Sequence, residues 1–160
     1  MRLSKKDPKD AAKAWKRYAE THSFSAVQRS IIVDHIQVGL ARSGIFPSAL
    51  DRGQFTSSFA TQGLAEAALF EQNWDELTYW VGQLPTGEQT TQRWQYWWAR
   101  ALQKSAPSEP LATSSPDPQK MLQKLAAQRH YYGFMAALAL DAPLQTLQAS
   151  TPKPPPFDLS

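Results

Sequence analysis

The sequence predicts an all-α chain built as an irregular right-handed superhelix of stacked antiparallel helical hairpins, about seven helices in all. Three observations carry this. Apolar residues recur at three- and four-residue offsets in successive segments, which places them on one side of a helix. Few stretches alternate apolar and polar residues as a strand would. Helix-starting and helix-stopping residues bracket most of the periodic segments. No strict repeat period accompanies them, so an irregular array fits better than a regular tetratricopeptide one.

The first helix opens at Asp7-Pro8, an acceptor side chain followed by a proline whose missing N–H costs nothing there. Asp10 lies near the positive end of its dipole, and its expected buried stripe is Ala11, Ala12, Trp15, Tyr18 and Ala19. Ser25 with Gln28 has the form of a capping box and launches a helix carrying Val27, Ile31, Ile32, Ile36, Val38 and Leu40, which should stop near Ser43-Gly44, before Pro47. Residues 45–55 read as a loop or a short helical turn, because Pro47 and Gly53 break any period. From about Gln54 to Phe70 helical spacing resumes through Phe55, Phe59, Leu64, Ala67 and Ala68.

Asn73 and Glu76 have the form of a second capping box. They precede the stripe Trp74, Leu77, Trp80, Val81 and Leu84, which Pro85 and Gly87 should end. The next helix sets Trp94, Trp97, Trp98, Ala101 and Leu102 on one face. Residues 105–118, SAPSEPLATSSPDP, are rich in Ser and Pro and predict an exposed excursion. Two short helices follow: Met121, Leu122 and Leu125 on one, and Tyr131, Phe134, Met135 and Leu138 on the other, with the turn between them at 130–133. The expected organisation is one helical-hairpin domain over residues 1–145 and a proline-rich linker over 146–160, where four prolines fall between Thr151 and Ser160.

Composition narrows the function. Residues 1–20 hold seven basic and three acidic side chains, a local +4 that leaves the other 140 residues near −1. The excess is therefore one basic end, not the continuous basic surface that nucleic-acid binding requires. There is no cysteine, which removes thiolate metal sites, disulfide scaffolds and cysteine nucleophiles. No run reaches the roughly 20 apolar residues of a membrane span, and the N-terminus has no apolar signal core. His22, His35 and His130 lie in separate segments without metal-ligand spacing, so neither a metal nor a cofactor is expected. Asp34, set among Ile31, Ile32, Ile36 and Val38, reads as a capped or salt-bridged carboxylate ahead of a catalytic one.

The tryptophan-rich string Trp94–Leu102 reads first as core, with large rings burying area, small Ala99 and Ala101 allowing close approach, and Arg100 reaching water or a carboxylate; its second reading is a carbohydrate-stacking platform. Taken together, W-D-E-L-T-Y-W-V-G-Q-L-P (Trp74–Pro85), R-W-Q-Y-W-W-A-R-A-L (Arg93–Leu102) and L-A-A-Q-R-H-Y-Y-G-F-M-A-A (Leu125–Ala137) resemble the soluble lytic murein transglycosylase family. There, similar helices occur in this order in the superhelical region preceding the catalytic domain. The opening D-P-K-D-A-A-K-A-W (Asp7–Trp15) is similar to an earlier helix of that region.

The resemblance implies a non-catalytic scaffold that, in a longer periplasmic enzyme, supports the lysozyme-like domain and guides peptidoglycan strands. The partners it implies are peptidoglycan and the catalytic domain of the same parent chain. The family's catalytic glutamate lies in a Glu-Ser context followed by Gly-Leu-Met-Gln; this sequence has no Glu-Ser pair and no Gly-Leu-Met, so no catalytic residue is expected here. Candidate sugar- or peptide-contacting residues are Tyr96, Arg100 and Tyr132, planar or charged groups placed at the edge of a packed face. Two other classes stay open: a stand-alone helical adaptor binding a protein partner, and a complete small enzyme, which lacks a convergent catalytic set.

Overall fold

The computed structural model describes residues 7–105 and 116–142. These form eight α-helices and one 3-10 turn, with no strand among the described residues. In chain order they are α1 (Pro8–Thr21), α2 (Ala26–Ala41), the 3-10 turn Arg52–Gln54, α3 (Ser58–Phe70), α4 (Trp74–Gly82), α5 (Thr86–Gln89), α6 (Gln92–Lys104), α7 (Pro118–Ala126) and α8 (Tyr131–Ala139). The helix absent from the sequence reading is α5, a single turn at the point where Pro85 and Gly87 were expected to end the structure. Most of the 105–118 excursion, the domain boundary at 145 and the 146–160 tail lie outside the described residues.

The starts follow local chemistry. Asp7 and Asp117 each precede a proline at the first helical turn and accept backbone N–H bonds, from Asp10 at 3.0 Å and from Gln119 at 2.9 Å respectively. Ser25 and Gln28 close a complete capping box at 3.2 and 2.9 Å. Asn73 caps α4 through the Glu76 N–H at 3.3 Å, but the box is only half made, because the Glu76 carboxylate turns into the core. α2 ends where expected, and Gly44 takes the left-handed turn at φ +77°.

One core joins α2, α3, α4 and α6 around Leu64, Leu77, Trp80, Val81 and Trp94, all essentially sealed from solvent. A second joins α6, α7 and α8 around Tyr96, Ala99, Leu122, Leu125 and Ala136. The central helix α6 thus serves both: Trp94 and Ala101 face the first core, Tyr96 and Ala99 the second. Helix order follows from these contacts. α4 and α6 run in opposite directions, because Gly82 approaches Trp98 while Thr78 meets Ser105 and the Lys104 ammonium sits 4.3 Å from the Trp74 ring centroid.

α2 and α3 depart from the antiparallel expectation. Their contacts advance together, Asp34 with Ser57, Val38 with Gly63 and Gly44 with Glu71, so the two helices run in the same general direction. The segment 42–57, with its 3-10 turn, is long enough to carry the chain back. Gly63 permits the close approach; a methyl there would stand 2.8 Å from both γ-carbons of Val38.

Two expected stripes are corrected. On α1 only Ala11 is buried; Trp15 is half-buried, its ring centroid 5.0 Å from that of Phe24, and Tyr18 is exposed. Among the described helices α1 packs mainly on α2, so little covers its outer side. On α8 the inner face is Gly133, Ala136 and Ala137, while Tyr131, Phe134 and Leu138 point outward. The reason is distance: a methyl at position 133 would stand 2.1 Å from the Gln128 carbonyl oxygen, so α8 meets the end of α7 on its smallest side.

Candidate functional site

The three residues singled out from sequence are partly brought together by the second core. Tyr96 on α6 packs against Tyr132 on α8, ring centroids 5.7 Å apart and tilted by 38°, and Tyr131 stands edge-on to Tyr132 at 5.1 Å. Tyr96 is buried rather than placed at an edge. The spacing that puts Trp94, Trp98 and Ala101 on one face puts Tyr96 on the opposite one, and α7 and α8 cover that face too. Burial pushes its phenol above the ordinary 10.0; the Arg100 cation nearby pulls the other way, and Tyr131 adds to the rise. Arg100 is half-buried and donates to Gln103 Oε1 at 3.1 Å. Tyr132, also half-buried, lies at the rim.

Among the described residues two carboxylates are buried, and both hold structure. Glu76 accepts the Trp80 indole N–H at 2.7 Å on Oε2 and pairs with Arg52 through Oε1. The Arg52 guanidinium lies over the Tyr79 ring, 4.5 Å from its centroid, so the 3-10 turn is pinned to α4 by charge and stacking together. Asp34 accepts the Ser57 hydroxyl at 2.6 Å, and the same Ser57 oxygen caps α3 by accepting the Ala60 N–H at 3.0 Å. The result is a short relay from the start of α3 to the middle of α2; Asp34 is neither a cap nor salt-bridged among the described residues, and Ser57 is the cap it supports. Acid catalysis on a glycosidic bond needs a positioned carboxyl of raised pKa inside a sugar-binding cleft; Asp34 and Glu76 are instead each engaged at their own helix junction.

The histidines are separate as well. His22 shares a 2.8 Å hydrogen bond with Thr21 and is exposed. His35 lies against Phe59 with centroids 4.2 Å apart. His130 caps α8: its Nδ1 accepts the Gly133 N–H at 3.0 Å, while Nε2 is 2.9 Å from Gln128 Oε1. With Nδ1 accepting, the tautomer that fits carries its proton on Nε2, directed at the amide oxygen. No group of three or more His, Asp or Glu side chains among the described residues is placed to hold a metal. The sequence reading missed this cap because it assigned 130–133 to a turn; the signal available was a polar acceptor three residues ahead of a glycine.

Comparison with known proteins agrees with the motif order. The chain matches the X-ray structure of an inactive mutant of the lytic transglycosylase Slt from Pseudomonas aeruginosa with a TM-score of 0.69 and 31% sequence identity, over 89% of this chain and 23% of that one. Searches of family models and of curated proteins give no match. The resemblance read from Trp74–Pro85, Arg93–Leu102 and Leu125–Ala137 is thus shown in sequence and in fold together, and this chain spans about a quarter of the length of the enzyme it matches.

Proposed function

We propose that this chain, similar in sequence and fold to a segment of a lytic transglycosylase, is a non-catalytic helical scaffold of such an enzyme. In the parent protein it extends a superhelix that supports the lysozyme-like domain and guides peptidoglycan glycan strands during cell-wall turnover in the periplasm. The observation that carries the reading is the 31% identity and TM-score of 0.69 over 89% of this chain against the matched enzyme. The engagement of Asp34 by Ser57 and of Glu76 by Arg52 and Trp80 supports it. Of the three candidate contacts, Arg100 and Tyr132 are exposed enough to meet a saccharide, while Tyr96 holds the Tyr132 ring in place.

The test is co-sedimentation of the purified chain with peptidoglycan sacculi, with the soluble products analysed in parallel. Retention in the pellet without anhydromuropeptides is expected. Anhydromuropeptides released at enzyme-like rates would overturn the scaffold assignment. Substituting Arg100 and Tyr132 by Ala should lower retention while leaving the helical circular dichroism intact, and unchanged retention removes them as contacts. The mass of the native polypeptide discriminates the adaptor reading: a longer chain reaching a glutamate-bearing lysozyme-like domain favours the enzyme scaffold, and a product of 160 residues favours the adaptor.

A further inference from the structure

Helix α2 starts well before α3 along their shared direction. Ser57, the cap of α3, bonds to Asp34, two turns into α2, so the first turns of α2 overhang the end of α3. The face concerned is continuous: Val27, Ile31, Asp34, Val38 and Ala41 follow at helical offsets of four, three, four and three. Its lower half is buried under α3, whereas Val27 and Ile31 in the upper half are 69% and 43% exposed. Between the overhang and the start of α3 lies an open cleft of about 360 Å³, lined by Val27, Ser30, Ile31, Asp34 and His35 of α2 and by Ser57 and Phe59 at the start of α3. This is the lower end of the size range of small-ligand sites.

The exposed surface of the cleft is mostly apolar, although Ser30, His35 and Ser57 also border it; its charged group, Asp34, is only 5% exposed. One carboxylate oxygen accepts the Ser57 hydroxyl; the other takes no hydrogen bond from the described residues, and no cation among them lies within salt-bridge range. That oxygen is not sealed from solvent, so water or the donor of a ligand can reach it. The walls above it, Ile31 and the stacked His35 and Phe59 rings, 4.2 Å apart, suit an aliphatic chain rather than a second charge.

We propose that this cleft binds an alkylammonium group, the free amine of a diamino-acid side chain in a peptidoglycan stem peptide, with its methylenes on Ile31 and Phe59 and its ammonium on the open oxygen of Asp34. The choice of stem peptide rests on the peptidoglycan reading above. The choice of a primary amine on a short apolar chain rests on the cleft alone.

The experiment is an NMR titration of the full chain with a lysine-containing stem tetrapeptide and, separately, with the same peptide acetylated on its lysine Nζ. Saturable shifts confined to residues 27–35 and 57–59 are expected for the free amine, with the acetylated peptide at least about tenfold weaker, as expected for loss of a charge-assisted hydrogen bond. Asp34→Asn, which keeps an acceptor for Ser57, should abolish the preference. Phe59→Ser, at a half-exposed position outside the core, should weaken both peptides alike while leaving the fold unchanged. Equal binding of the two peptides, or no shift in the cleft, overturns the proposal. Sacculus retention is read separately: if the chain still pellets while the cleft ignores the amine, this inference falls and the scaffold reading stands.

Discussion

The two cores of this molecule solve the same problem in opposite ways. Around α4, bulk does the work: Trp80, Trp94, Leu64 and Leu77 interdigitate and are essentially sealed, and the buried Glu76 is matched by the Trp80 indole and Arg52. Around α8, proximity does it. Gly133, Ala136 and Ala137 bring one backbone against another, and Tyr131, Phe134 and Leu138 are left outside. Around α4 a missing atom is the danger; around α8, as at the Gly63 contact of α3 with α2, an added one is. The difference teaches that apolar periodicity marks a side of a helix without saying whether large or small residues meet the neighbour.

The largest effect expected is for Trp80→Ala. It empties a fully buried indole site and strands Glu76 Oε2, and should cost about 3 to 5 kcal/mol in denaturant unfolding; Trp80→Phe should recover part of this by restoring area without the N–H. A loss under about 1 kcal/mol would break the picture of a core held by bulk. Next comes Gly133→Ala, where the added methyl would stand 2.1 Å from a backbone oxygen and should cost about 1 to 3 kcal/mol, since overpacking forces backbone shifts. Its signature is regional: amide exchange should accelerate in α7 and α8 before α4. Uniform acceleration would mean that the two cores act as one.

Smaller still is His130→Ala, which removes the side-chain cap of α8 and should cost about 1 kcal/mol; His130→Asn should restore most of it by supplying another acceptor. The last prediction concerns alkali. Because burial raises the Tyr96 phenol above 10.0, the folded state keeps a proton that the unfolded chain gives up first. Its contribution to stability is therefore complete below pH 10 and declines as pH rises through the folded-state value. Spectrophotometric titration should show one tyrosine ionising later than the rest, and Tyr96→Phe should remove that component and flatten the alkaline loss. A titration unaltered by the substitution would place Tyr96 outside the second core.

Reading the sequence alone goes a long way on this chain where the relevant forces are local. The caps at Asp7 and Ser25, the stop before Pro47, the stripe Leu77, Trp80, Val81 and Leu84, and the motif order that pointed to a lytic transglycosylase all follow from residues within a turn or two of one another. The candidate site was less legible. Tyr96 and Tyr132 do meet, but no periodicity reveals that α6 is covered on both faces and that Tyr96 is therefore buried.

What only the tertiary structure decided are the relations between elements. Glu76 leaves its half-made capping box because Arg52 and Trp80 offer it a buried charge-assisted site. α2 and α3 run together instead of folding back, since the 42–57 segment returns the chain. The overhang of α2, with its cleft above Asp34, exists because α3 begins at Ser57 and no earlier. Local rules set where a helix starts, stops and turns its apolar side; which neighbour covers that side, and how much of its length, depends on packing between residues far apart in the chain.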